Sequence, residues 1–243
     1  MSTPTIQVVV DAPAIAVVAA EKIISLADAA ISQRGGFSIA LSGGSTPKTL
    51  FQLLASDSYS KRIDWKNWQI YFGDERCVPP VHPDSNFRMA SEALLDHVPI
   101  LPEHIHRMEG EIEPQEAAIE YGKLLKQNFG DGGLDVILLG MGDDGHTASL
   151  FPHTAALGET GHRCVANYVE KLGVWRITMT APFINRARQI IVMVSGAAKA
   201  KRIDQVLQGP SDPQTFPIQM IDPADGELLW LMDAAAAGMD ESP

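Results

Sequence analysis

Four apolar, strand-like runs in this chain each end in a glycine-rich or hydroxyl-rich polar motif, and this recurring juncture restricts the possible folds more than any other feature. FSIAL runs into SGGST, WQIYF into GDER, LDVILLG into MGDDGH, and RQIIVMV into SGAAK. Helical stretches lie between them. An Ala/Ile/Val-rich segment opens with Asp11 and Pro13, runs to about Gln33 and is stopped by Gly35 and Gly36. A second opens near Pro47 and carries Leu50, Phe51, Leu53 and Leu54 on one face; others span about Asn86 to Leu95 and Pro114 to about Phe129. IQVVV near the start, and CVANYV, WRITMT and LLWLMD later, read as further strands. Such alternation makes an α/β fold, with an open, mostly parallel sheet and helices on both faces, the economical architecture. With no repeat, low-complexity tract or linker, residues 1–243 are read as a single domain, with room for a small subdomain around the late strands.

In open sheets of this kind ligands bind beyond the carboxyl ends of the strands, so the four motifs are expected on one rim. SGGSTPKT is not a nucleotide phosphate loop, because Pro47 stands where that pattern needs its second glycine. It is either a tight turn with a Ser/Thr cap or a phosphate cradle in which Gly43, Gly44, Ser45 and Thr46 supply backbone N–H groups at a helix start. GMGDDG matches a dinucleotide fingerprint formally, but Asp143 and Asp144 would set carboxylates where a pyrophosphate must lie. The same loop ends in His146, two residues after Asp144. A lone histidine is commonly structural; at a strand end beside carboxylates it suits general-base work, with the carboxylate orienting the ring. A metal site from Asp143, Asp144, His146 and His153 lacks a helical ligand spacing, so no metal is expected.

In GDER, Arg76 can clamp an anion bidentately or simply pair with Glu75 or Asp74. GDER is expected to open one long polar loop, GDERCVPPVHPDSNF, of the kind that is often functional. Lys199 and Arg176 are further candidate cations, or solvated surface charges. Nineteen Lys and Arg against thirty Asp and Glu give a net charge of −11, which disfavours nucleic acid and anionic membrane as partners. An anionic ligand then needs local backbone donors and well-placed cations. The first residues, MSTPTIQVVVDAP, lack signal-peptide character and no apolar run approaches a membrane span, so a cytoplasmic location is expected. Cys77 and Cys164 are read as two reduced thiols.

Together SGGSTPKTL, YFGDERCVPPVHPDSNF, LLGMGDDGHTASLFP, RITMTAP and SGAAKA resemble, in order and approximate spacing, the 6-phosphogluconolactonases of the pentose phosphate pathway. The resemblance covers about Val18 to Ala237. It implies a Rossmann-like α/β domain of the kind shared with glucosamine-6-phosphate deaminases and ribose-5-phosphate isomerases, without metal or organic cofactor. It also implies His146 as general base with Asp144 beside it, Asp74 and Arg76 lining the site, Gly43, Gly44 and Ser45 in the sugar-phosphate loop, and Lys199 and Arg176 near the phosphate. The expected partner is a small sugar-phosphate lactone, handled by a monomer or small homo-oligomer. A deaminase would be expected to carry M-D-E-Y and I-A-F-N-E-P where this chain has GDERC and TASLFP. A non-catalytic sugar-phosphate sensor would normally add a DNA-binding segment, and the roughly 40 residues before SGGST already read as strand and helix.

Overall fold

The structure, a computed structural model, describes residues 4–239. Among the described residues nine strands form: β1 (Thr5–Val9), β2 (Phe37–Leu41), β3 (Trp68–Phe72), β4 (Asp74–Arg76), β5 (Val136–Leu139), β6 (Cys164–Val169), β7 (Val174–Met179), β8 (Gln189–Val194) and β9 (Glu227–Asp233). The helices are α1 (Ala12–Arg34), α2 (Ser45–Ala55), α3 (Asp57–Ser60), α4 (Asn86–Ala93), α5 (Pro114–Phe129), α6 (Ala181–Ile184) and α7 (Ala200–Leu207). Asp11 caps α1 by accepting from the Ala14 N–H at 2.8 Å, and Gly35 closes it in a left-handed conformation, as the sequence predicts.

Six strands make one wholly parallel sheet in the order β1-β9-β8-β5-β2-β3. Every residue of β2, β5 and β8 is buried, which explains why these strands read as near-continuous apolar runs: both faces of a parallel sheet are covered. The chain travels one way from β1 through β2 to β3, then returns past β2 to β5, β8 and β9. Right-handed crossovers therefore place α1 and α2 on one face and α5 on the other, and α1 does pack against α2. The reversal falls between β2 and β5, so their carboxyl ends open the crevice where such sheets bind ligands.

β4, β7 and β6 form a second, antiparallel sheet. Here the sequence reading needs correction. The sequence predicts GDER as the start of a long loop, but its last three residues are themselves a strand, paired so that Asp74 faces Thr178 and Arg76 faces Arg176. The Gly73 carbonyl accepts from the Met179 N–H at 2.9 Å and so ties this small sheet to the end of β3. No helix among the described residues is long and apolar enough to cross a membrane.

Candidate active site

All four motifs reach one cleft of about 290 Å³, lined by residues 42–47, Asp74, Arg76, the Gly140–Gly142 turn, His146, Ser195 and Lys199 among others. From β2 the chain turns through Ser42 and Gly43 into α2, whose N-cap is Gly44 with no side-chain capping bond. The first N–H groups of an 11-residue helix, at Ser45 and Thr46, are thus left for a ligand, with the helix dipole favouring an anion. Gly43 is required by close approach: a Cβ there would stand 2.0 Å from the Asn86 amide oxygen. Thr46 Oγ1 and Ser195 Oγ, 2.9 Å apart, join this turn to the end of β8.

The two-residue period of β4 divides GDER. Asp74 and Arg76 line the cleft, while Glu75 turns inward, 2% exposed. The Glu75 carboxylate accepts from the Asn86 N–H at 2.7 Å, the Phe87 N–H at 2.8 Å and the Ser85 hydroxyl at 3.0 Å, and so holds the start of α4. Burial raises its pKa above the ordinary carboxylate value, and the backbone N–H donors partly oppose the rise. Arg76 therefore pairs with neither Glu75 nor Asp74; its guanidinium donates to the Asp84 carbonyl. Asp74, 7% exposed, accepts from the Ser149 hydroxyl at 2.6 Å.

From β5 a glycine turn, closed by the Gly142 N–H donating to the His146 carbonyl at 2.9 Å, delivers the histidine. His146 Nδ1 lies 2.5 Å from Asp144 Oδ1. A carboxylate only accepts, so Nδ1 carries the hydrogen and Nε2 is the basic nitrogen left for the cleft. The bond to His146 holds the Asp144 carboxyl well below the usual carboxylate range, against the opposing effect of its burial. Lys171, from the β6–β7 turn, reaches Asp144 Oδ2 at 3.2 Å. Phe151 stacks on the imidazole with ring centroids 4.0 Å apart and planes inclined by 20°. Ala148, on the cleft wall, has φ 47°, a left-handed conformation that costs a non-glycine residue on the order of 1 kcal/mol or more. The adjacent carboxylates diverge: Asp144 serves His146, while Asp143 pairs with Lys199, which also donates to the Met141 carbonyl at 3.0 Å.

The structure thus brings together Gly43, Gly44, Ser45, Thr46, Asp74, Arg76, His146 and Lys199, with Asp144 behind the histidine. It does not bring Arg176 into this cleft. Directly opposite Arg76 on β7, Arg176 lines an adjoining groove of about 460 Å³ with Cys77 and Trp175. Burial lowers its pKa, and the neighbouring Arg76 charge adds to the effect. Sequence reasoning assigned no role to Asn86, Ser149, Phe151 or Ser195. All four lie inside motifs already singled out, yet nothing local says which way those side chains point.

Residues 10–230 match the family described as glucosamine-6-phosphate isomerases/6-phosphogluconolactonase. The chain belongs to that family. Among curated relatives, a protein of Nostoc sp. named 6-phosphogluconolactonase is 43% identical over 238 residues, covering 96% of each chain. The solved 6-phosphogluconolactonase of Trypanosoma brucei is 30% identical with a TM-score of 0.86, covering 98% of this chain and 99% of that one. A monomeric glucosamine-6-phosphate deaminase has a TM-score of 0.82 at 19% identity, over 97% of this chain and 99% of its own, and shares the fold.

Proposed function

We propose that this chain hydrolyses 6-phospho-D-glucono-1,5-lactone to 6-phospho-D-gluconate, the ester-opening step of the oxidative pentose phosphate pathway, with His146 as general base. The observation that carries the residue assignment is the Asp144–His146 pair, at 2.5 Å, on the wall of a cleft that also holds the open N-terminus of α2. Nε2 takes a proton from water as the water oxygen bonds to the lactone carbonyl carbon. The tetrahedral intermediate then collapses, the bond to the ring oxygen breaks, and that oxygen receives the proton from His146. No covalent enzyme intermediate is needed.

The Gly142 and Gly145 N–H groups are used within the glycine turn. Arg76 forms no ion pair among the described residues and is the donor assigned to the developing oxyanion. The phosphate is assigned to the Ser45 and Thr46 N–H groups and Lys199, where its binding energy orients the distant ester. Arg176 lies beside Arg76 on the neighbouring strand and adds positive potential without lining the cleft. In a coupled assay that generates the lactone in situ, the wild-type chain is expected to accelerate its loss over the spontaneous rate. His146→Ala is expected to fold normally and lose about 10²- to 10⁴-fold in kcat. Full activity in that variant would remove the role.

A further inference from the structure

Ser149 is 1% exposed, and all three of its polar groups are bonded to the small antiparallel sheet. Its N–H donates to Thr178 Oγ1 at 3.2 Å, its carbonyl accepts from Asn167 Nδ2 at 2.9 Å, and its hydroxyl donates to Asp74 Oδ2 at 2.6 Å. These partners stand on β7, β6 and β4, so one residue is gripped by every strand of that sheet. The two backbone bonds would survive replacement by alanine. The hydroxyl bond would not, and it ends on a carboxylate that lines the cleft. Asn86, the other donor near Asp74, makes its shorter bond, 2.9 Å, to the Asp74 carbonyl and only a 3.3 Å bond to Oδ1.

We propose that Ser149 is a positioning residue for lactone hydrolysis: its hydroxyl fixes the Asp74 carboxylate so that Oδ1 receives a hydroxyl group of the sugar ring. Ser149 follows His146 by three residues. One buried side chain therefore sets the distance between the group that holds the ring and the base that activates water. The assignment rests on the lactonase reading above and extends it to a residue that touches no substrate.

The test is steady-state kinetics with the lactone generated in situ. Ser149→Ala is expected to lower kcat/KM by about tenfold or more, with KM carrying most of the change, because the ring binds less well oriented. Ser149→Cys, similar in size but a poor donor, should show the same loss and covers the case in which the alanine variant does not fold. Ser149→Thr, which keeps the hydroxyl, should recover most of the activity. In an Asp74→Ala background, adding Ser149→Ala should change kcat/KM by less than about twofold, since the path through Asp74 is already gone. Unchanged kinetics in both the alanine and cysteine variants, a loss of Tm alone, or additive losses in the double variant would overturn the proposal. Absence of wild-type turnover would instead overturn the lactonase reading and this assignment with it.

Discussion

His146 is confined on three sides: Asp144 at its Nδ1, Phe151 against its face, and Gly142 beneath its edge. A Cβ on Gly142 would stand 2.1 Å from the imidazole Nδ1 and Cε1 and 3.0 Å from the Asp144 carboxylate, so the ring and its orienting partner would both have to move. Gly142→Ala is therefore expected to lower kcat by about 10²-fold, the scale of an ångström misplacement of a catalytic group, with little change in circular dichroism. Wild-type kcat would show that the loop yields elsewhere. The histidine and its carboxylate were legible in the sequence because they stand two residues apart in one glycine loop. Phe151, five residues on, was not, because its stacking depends on how the loop folds back.

At the scale of elements, α4 is attached to the site through Glu75. Its carboxylate meets the first N–H groups of that helix, and Asn86 at the helix start reaches back to Asp74. Glu75→Ala would leave those buried donors without an acceptor, a cost of about 3 kcal/mol. In a chain of this size that corresponds to a fall in Tm of roughly 6–12 °C by calorimetry. KM should rise as well, because Asn86 and Asp74 lose their common support. An unchanged Tm would mean that water or another group replaces the carboxylate. The helices were readable from their caps and apolar spacing, as Asp11, Gly35 and Pro114 illustrate. The pairing of GDER as a strand with WRITMT was not, since a three-residue strand has too little periodicity to signal itself.

For the molecule as a whole, pH acts through carboxylates of opposite sign. Asp144 is held low mainly by His146, and Glu159 is taken down to about 2 by the backbone N–H groups of His162 and Gly161. A carboxyl whose folded pKa is depressed contributes stability above its unfolded pKa and loses it as pH falls through the folded value. Glu75 is raised by burial and works the other way, gaining as pH falls through its raised value. Depressed groups outnumber it, Glu21, Asp57, Glu111, Asp143 and Asp212 among them. Tm is expected to fall as pH drops from about 5 to about 2, and Asp144→Asn to flatten part of that fall. A Tm constant across this range would show that the native charge pairs have equivalents in the unfolded chain.

The sequence by itself determined the α/β alternation, the parallel sheet, the rim on which its motifs lie and the histidine with its carboxylate. These follow from local periodicity, caps and short spacing, which act between near neighbours in the chain. Tertiary structure alone decided that Glu75 turns inward while Asp74 and Arg76 face the cleft, that Arg176 lies in the neighbouring groove, and that Ser149 joins three strands. Those outcomes depend on pairings between segments as much as a hundred residues apart. Only the closed fold sets such distances, because the same side chain reads identically in sequence whichever face of its strand becomes buried.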